Sequence, residues 1–191
     1  MSNTVSTPVD VTAQSPHSVA IGTSSEGAPD TTLATRVRAV HRQYPTGVTV
    51  VTAAVNKNPV GLAVNAFSSI SMDPPLVLVC VNESSNSFPA VFESNFIGIN
   101  ILASDQLDVA GTFAKSGGDK FAEIDWRLSD LGVPILDGVA GHLELEIKFK
   151  IPAYTHTIFI GQVVEAGASG KSPLVYHAGT FFDGAKLESF Q

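Results

Sequence analysis

Cysteine occurs once in the 191 residues, at Cys80, which excludes an intramolecular disulfide framework and any thiolate metal cluster drawn from a single chain. Cations are scarce as well: 11 Lys and Arg stand against 18 Asp and Glu, for a net charge of −7. Neutralising a duplex phosphate backbone needs clustered positive charge, so no nucleic-acid partner is expected. No apolar run approaches the roughly 18 residues of a membrane helix, and the longest, PPLVLVCV, has the length of a strand. The opening residues lack the basic start and apolar stretch of a secretory signal. The expectation is a cytoplasmic protein with no membrane contact.

Common catalytic fingerprints are missing too. There is no G-x-G-x-x-G opening a helix, no G-x-x-x-x-G-K followed by Ser or Thr, and no H-E-x-x-H, which disfavours Rossmann, P-loop and zincin sites. The five histidines, at 17, 41, 142, 156 and 177, show no ligand spacing, so no metal is expected. Cys80 lies within LVLVCV, where a thiol has a raised pKa and acts as a small hydrophobe, which disfavours a Cys–His hydrolase.

What the chain does have is 44% hydrophobic residues, enough for one sizeable core. Residues 1–30 are rich in Ser, Thr, Pro and Gly without a Lys or Arg, and their composition predicts a flexible N-terminal arm. One domain is expected over 31–191. It should open with a helix over 31–43, capped by Asp30 or Thr31, with Leu33, Val37, Val40 and Tyr44 on one face and Arg36, Arg38 and Arg42 on the other. Pro45 stops it.

Beyond Pro45, β-branched runs separated by turn residues take over: TGVTVVTAAV and VGLAVNAFSSIS, joined by a hairpin turn at 56–59, then PLVLVCV. Short helices are predicted over 86–93 and 105–114, flanking the strand FIGINIL. Leu143, Leu145, Ile147 and Phe149 alternate with Glu144, Glu146 and Lys148, the period of a strand with one wet face. HTIFIGQVVEA is a further strand, and PLVYHAGTFF is expected to close the sheet. At least six closely spaced strands with only short helices predict a mainly β, antiparallel barrel.

Hydroxyl and small residues crowd the strand ends, at Thr46-Gly47, from Gly61 to Ser71 and from Asn82 to Ser87. Two readings are open: an anion-binding rim built from amides and hydroxyls, or ordinary turn chemistry. Individually, Gly61 fits a strand bulge, Asn65 a turn, Phe113 a core ring and Lys120 a surface cation.

The segments YPTGVTVVT, GLAVNAFSSISMDPPLVLVCVNESSNSF, FIGINILASDQLDVAGTFA, DKFAEIDW, GVPILDG and HTIFIGQV resemble, in order and spacing, the blocks of the flavin reductases that supply two-component monooxygenases. The likeness spans about 36–183. It implies a split β-barrel, Greek-key-like and FMN-binding, with a few peripheral helices, in a homodimer that holds flavin near the subunit interface. The implied activity is hydride transfer from NADH or NADPH to FMN or FAD, with reduced flavin passed to a separate flavin-dependent oxygenase.

By the same likeness, Val60, Gly61, Leu62, Ala63, Asn65 and Ala66 line the flavin ring, with Gly61 admitting it against bare backbone. Cys80, Val81 and Asn82 continue the wall, Asn86 and Ser87 meet the ribityl and phosphate end, and Phe113 and Lys120 close the far side. His156 positions the nicotinamide. The family commonly carries Gly-Asp-His where this chain reads Tyr154-Thr155-His156, which also suits a non-catalytic flavin-binding or electron-carrier protein on the same barrel.

Overall fold

The computed structural model describes residues 32–189; the expected arm over 1–30, with Asp30 and Thr31, lies outside the described residues. Helix α1 (Leu33–His41) is followed by strands β1 (Thr46–Gly47), β2 (Thr49–Val55), β3 (Asn58–Val64), β4 (Phe67–Met72) and β5 (Pro75–Asn82). Helix α2 (Phe88–Glu93), strand β6 (Phe96–Ile101) and helix α3 (Leu107–Ala114) come next. Strands β7 (Trp126–Leu128), β8 (Pro134–Leu136), β9 (Gly141–Ala153), β10 (His156–Ala168), β11 (Leu174–His177) and β12 (Thr180–Asp183) complete the order.

Seven strands form one antiparallel sheet in the order β3-β2-β6-β9-β10-β5-β4. Laid flat, its edge strands β3 and β4 would lie about 29 Å apart at the usual interstrand spacing. Only Asn65 and Ala66 separate them in the chain, and three Cα steps reach at most about 11 Å. The sheet must therefore curl until its edges meet at that corner, and the result is the split barrel. The Ala66 carbonyl accepts the Cys80 N–H at 3.0 Å, which ties the corner to β5.

Strand β2 explains why TVVTAAV carries no alternation. Val51 and Ala53 pack inside the barrel with Val79, Ile97, Ile99 and Phe159, while Val48 and Val50, on the other face, pack with Leu102, Ala110, Phe113 and Phe121. A strand buried on both faces reads as a continuous apolar run. Its buried hydroxyl Thr52 donates to the Pro134 carbonyl at 2.6 Å and accepts from Asn100 Nδ2 at 3.1 Å. Asn100 Oδ1 in turn takes the Leu136 N–H at 2.9 Å, so the polar atoms between β2, β6 and β8 are mutually satisfied. The β2–β3 turn runs through Asn56 and Lys57 with φ of 51° and 67°, the left-handed pair of a tight hairpin turn.

Three expectations need correction. The N-cap of α1 is Thr32, whose hydroxyl accepts the Thr35 N–H at 3.3 Å, and its predicted apolar face is uncovered: Leu33 is 68% exposed and Val40 69%. In β9 the alternation fails, because Glu144 is buried and accepts a 2.6 Å bond from the Ser129 hydroxyl, whereas Phe149 is 59% exposed. Strands β11 and β12 do not close the large sheet. They pair with β1 in a three-stranded sheet of their own.

Candidate functional site

Two loops and one strand build the principal cleft. In the loop after β5, Asn82 Oδ1 accepts from the Ser84 N–H and the Ser84 hydroxyl, each at 2.9 Å, the local bonding that makes Asn a turn former. Ser87 then fastens the loop to β3 by donating its hydroxyl to the Gly61 carbonyl at 2.8 Å. The loop after α3 reads Lys115-Ser116-Gly117-Gly118-Asp119-Lys120. Gly117 and Gly118 take φ of 77° and 76°, a conformation side chains resist.

Lys120 returns from that loop to the strand. Its ammonium donates to the Gly61 carbonyl at 3.3 Å and to the Phe113 carbonyl at 3.2 Å. Burial pushes its pKa below the ordinary 10.5, since a desolvated ammonium is disfavoured. It enters no ion pair among the described residues. An ammonium has three donors, and two of them are committed to these carbonyls.

Between the loops lies a cavity of about 250 Å³ whose walls include Leu62, Ala63, Asn82, Asn86 and Lys115. A neighbouring one of about 160 Å³ reaches Val60, Gly61, Ser87 and Gly118, and Asn86, Gly117 and Lys120 belong to both. Together these cavities are lined by hydroxyls, an amide and two lysines, and by Leu62, Ala63 and the rim of Phe113. That donor set suits an anionic group beside an apolar one: the half-buried Lys120 lacks a counter-charge among the described residues, and an anion would supply one.

Asn65, Ala66, Cys80 and Val81, also singled out from the sequence, fall outside this cleft. Asn65 and Ala66 line a separate cavity beside α1. Val81 is fully buried in the barrel core, too deep to be a wall. Cys80 stands opposite Ile158 on the β5–β10 pair, and burial raises its thiol pKa, as expected for a structural cysteine. Gly61 is in regular β3–β2 register, with no bulge. A Cβ there would come 2.7 Å from Cε1 of Phe113, so a buried core ring claims the space expected for flavin. Phe113 is 1% exposed and meets Phe121 edge-on at 5.1 Å between centroids.

His156 opens β10 directly across from Asn82, which places it at the rim of the cleft rather than in its lining. Its Nδ1 lies 2.9 Å from the Thr155 hydroxyl, so the Tyr-Thr-His sequence retains a hydrogen-bond partner for the imidazole where the carboxylate is lost. Tyr154 takes φ of 57° and is 95% exposed. Sequence reading placed Ser84 and Ser85 in the candidate rim of 82–87 but missed Lys115 and Gly117. The available signal was the paired glycines between two lysines in KSGGDK.

The rolled antiparallel barrel is of the split-barrel type seen in flavin reductases of known structure. The chain matches the flavin reductase like domain over residues 41–185 and belongs to that family. A probable flavin reductase of Rhizobium meliloti (strain 1021) is 41% identical over 140 residues, 73% of this chain and 45% of the relative, so the chain spans less than half its length. The FMN reductase (NADH) SmoA of Agrobacterium fabrum is 38% identical over 138 residues, 72% of this chain and 79% of that protein. Among solved structures, the NADH:FAD oxidoreductase SgcE6 of Streptomyces globisporus, in complex with NAD and FAD fragments, superposes with a TM-score of 0.75 at 31% identity, over 82% of this chain and 96% of that one. No helix among the described residues is long and apolar enough to cross a membrane.

Proposed function

We propose that this chain is an NAD(P)H-dependent flavin reductase that binds FMN or FAD in the cleft between β3 and the two loops. The observation that carries the reading is Lys120, partly desolvated and without a counter-ion beside Asn86 and the serine loop. In this reading Lys115, Lys120 and the hydroxyls of the loop after β5 hold the phosphate, and Leu62 and Ala63 face the ring. Bound flavin supplies the hydride-accepting chemistry, nicotinamide the hydride. The residues need furnish no acid or base for that transfer; they align two planar rings and exclude water. His156, at the rim and oriented by Thr155, positions the nicotinamide.

A separate oxygenase as recipient of the reduced flavin is supported by relatives such as the HsaB reductase subunit of a flavin-dependent monooxygenase in Mycobacterium tuberculosis, 35% identical over 147 residues. A homodimer is supported by the uncovered apolar side chains Leu33 and Val40 on α1 and Phe149 on β9. The decisive experiment follows nicotinamide oxidation by the purified chain with FMN, FAD and no flavin, using NADH and NADPH. Turnover that depends on added flavin is expected. Tight flavin binding without turnover would instead make the chain a flavin carrier.

A further inference from the structure

Glu83 is the first residue of the loop after β5, and its exposed side chain enters no ion pair among the described residues. It bonds instead to β10 and to the turn before it. Its N–H donates to the Thr155 carbonyl at 3.0 Å, and its Oε1 accepts the Thr157 hydroxyl at 2.8 Å. His156 stands between those two residues, with its Nδ1 2.9 Å from the Thr155 hydroxyl. Thr157 is 1% exposed, so the carboxylate satisfies, by a charge-assisted bond, a hydroxyl that would be costly to leave unpaired.

The turn that carries His156 needs an outside hold. Ala153 pairs with His156, which leaves Tyr154 and Thr155 as a two-residue hairpin turn. Tyr154 takes φ of 57° at the first position, where a Cβ is resisted and glycine is usual. Its side chain is 95% exposed, so no packing offsets that conformation. The β5–β10 ladder ends at the pair of Asn82 and His156, and Glu83, one residue further on, carries the connection past that end. The loop is thus pinned twice: to β3 by Ser87 through the Gly61 carbonyl, and to β10 by Glu83.

We propose that Glu83 is a positioning residue, which fixes His156 relative to the loop lining the cleft and so keeps the nicotinamide and flavin halves of the site in register. This role rests on the flavin reductase reading, which puts flavin in the cleft and nicotinamide at His156. Glu83 acts through Thr155 and Thr157 on the imidazole between them. The bond to Thr157 needs an acceptor oxygen at this position, which Gln supplies and Ala does not.

The test compares full-length wild type with Glu83→Ala, Glu83→Gln, Thr157→Val, His156→Ala and the double variant Glu83→Ala with His156→Ala, each checked for folding by circular dichroism. At saturating FMN, kcat/KM for NADH is expected to fall on the order of tenfold in Glu83→Ala and in Thr157→Val, and to be largely retained in Glu83→Gln. FMN fluorescence titrations should superimpose. In the His156→Ala background the loss of Glu83 should add nothing, because the group it positions is gone. Hydrogen exchange in the flavin-free protein gives a second readout: protection of the residue-83 amide should drop on the order of tenfold in Glu83→Ala and Thr157→Val but not in Glu83→Gln. Wild-type kinetics or unchanged protection in Glu83→Ala, a full additional loss in the double variant, or a matching loss of FMN affinity would each overturn the assignment. If the wild type oxidises no NADH with added flavin, the reductase reading falls and the role of Glu83 falls with it, whereas an active wild type with an equally active Glu83→Ala variant removes that role alone.

Discussion

Lys120 carries the most testable chemistry of any single side chain, because its charge is partly desolvated and lacks a carboxylate partner. Lys120→Gln is expected to weaken FMN binding by on the order of tenfold while leaving riboflavin, which has no phosphate, nearly unaffected; parallel fluorescence titrations of the two flavins check it. The pH dependence follows from the same residue. Burial places its pKa below the ordinary 10.5, so as pH rises the ammonium is lost earlier than that of an exposed lysine. FMN affinity should therefore fall at a lower pH than an ordinary lysine would dictate. Riboflavin, which shares the ring ionisation of FMN, should not follow this component. At His156, substitution by Ala is expected to raise the KM for NADH or slow hydride transfer, by up to about a hundredfold where orientation is lost, with FMN titration unchanged. Steady-state kinetics at saturating flavin would show it, and unchanged constants would take His156 out of the nicotinamide site.

At the scale of elements, the packing of α3 on β3 governs the cleft. Gly61→Ala would press a methyl group onto Phe113, and the expected cost is about 1–3 kcal/mol of stability, the usual range for overpacking a filled core. Urea denaturation measures it, and an unchanged midpoint would mean that α3 shifts freely. Much of the element pattern was legible in the sequence: the β2–β3 hairpin from its turn residues, both short helices, and the antiparallel character from strand spacing. The failures are long-range. Glu144 belongs on a wet face by period, yet Ser129, 15 residues away, covers it. Phe149 is apolar by period, yet β9 runs on past the core and leaves it exposed. Alternation records which way a side chain points, but not whether another segment lies over it.

For the whole molecule, the cleft arises where segments far apart in sequence converge: β3, the loop of 83–87 and the loop of 115–120. Of the positions that the block resemblance named, Val60 to Ala63, Asn82, Asn86, Ser87, Phe113 and Lys120 line the cleft, whereas Lys115 and Gly117 fall between its blocks. The same resemblance assigned Asn65 and Ala66 to the flavin, and the turn between the barrel edges carries them to the other cavity. Sedimentation at micromolar concentration is expected to show a dimer, and a monomer there would leave the apolar side chains of α1 without the partner proposed for them. One arrangement also bears on how fast the molecule could work. In the cleft as it stands, the Lys120 ammonium is held by the Gly61 and Phe113 carbonyls, so on the proposed reading a departing phosphate does not leave a stranded charge behind. If reduced flavin leaves for another enzyme, as proposed, carbonyls that already hold the ammonium in the empty cleft lower the cost of letting the ligand go, and throughput is gained at the expense of grip.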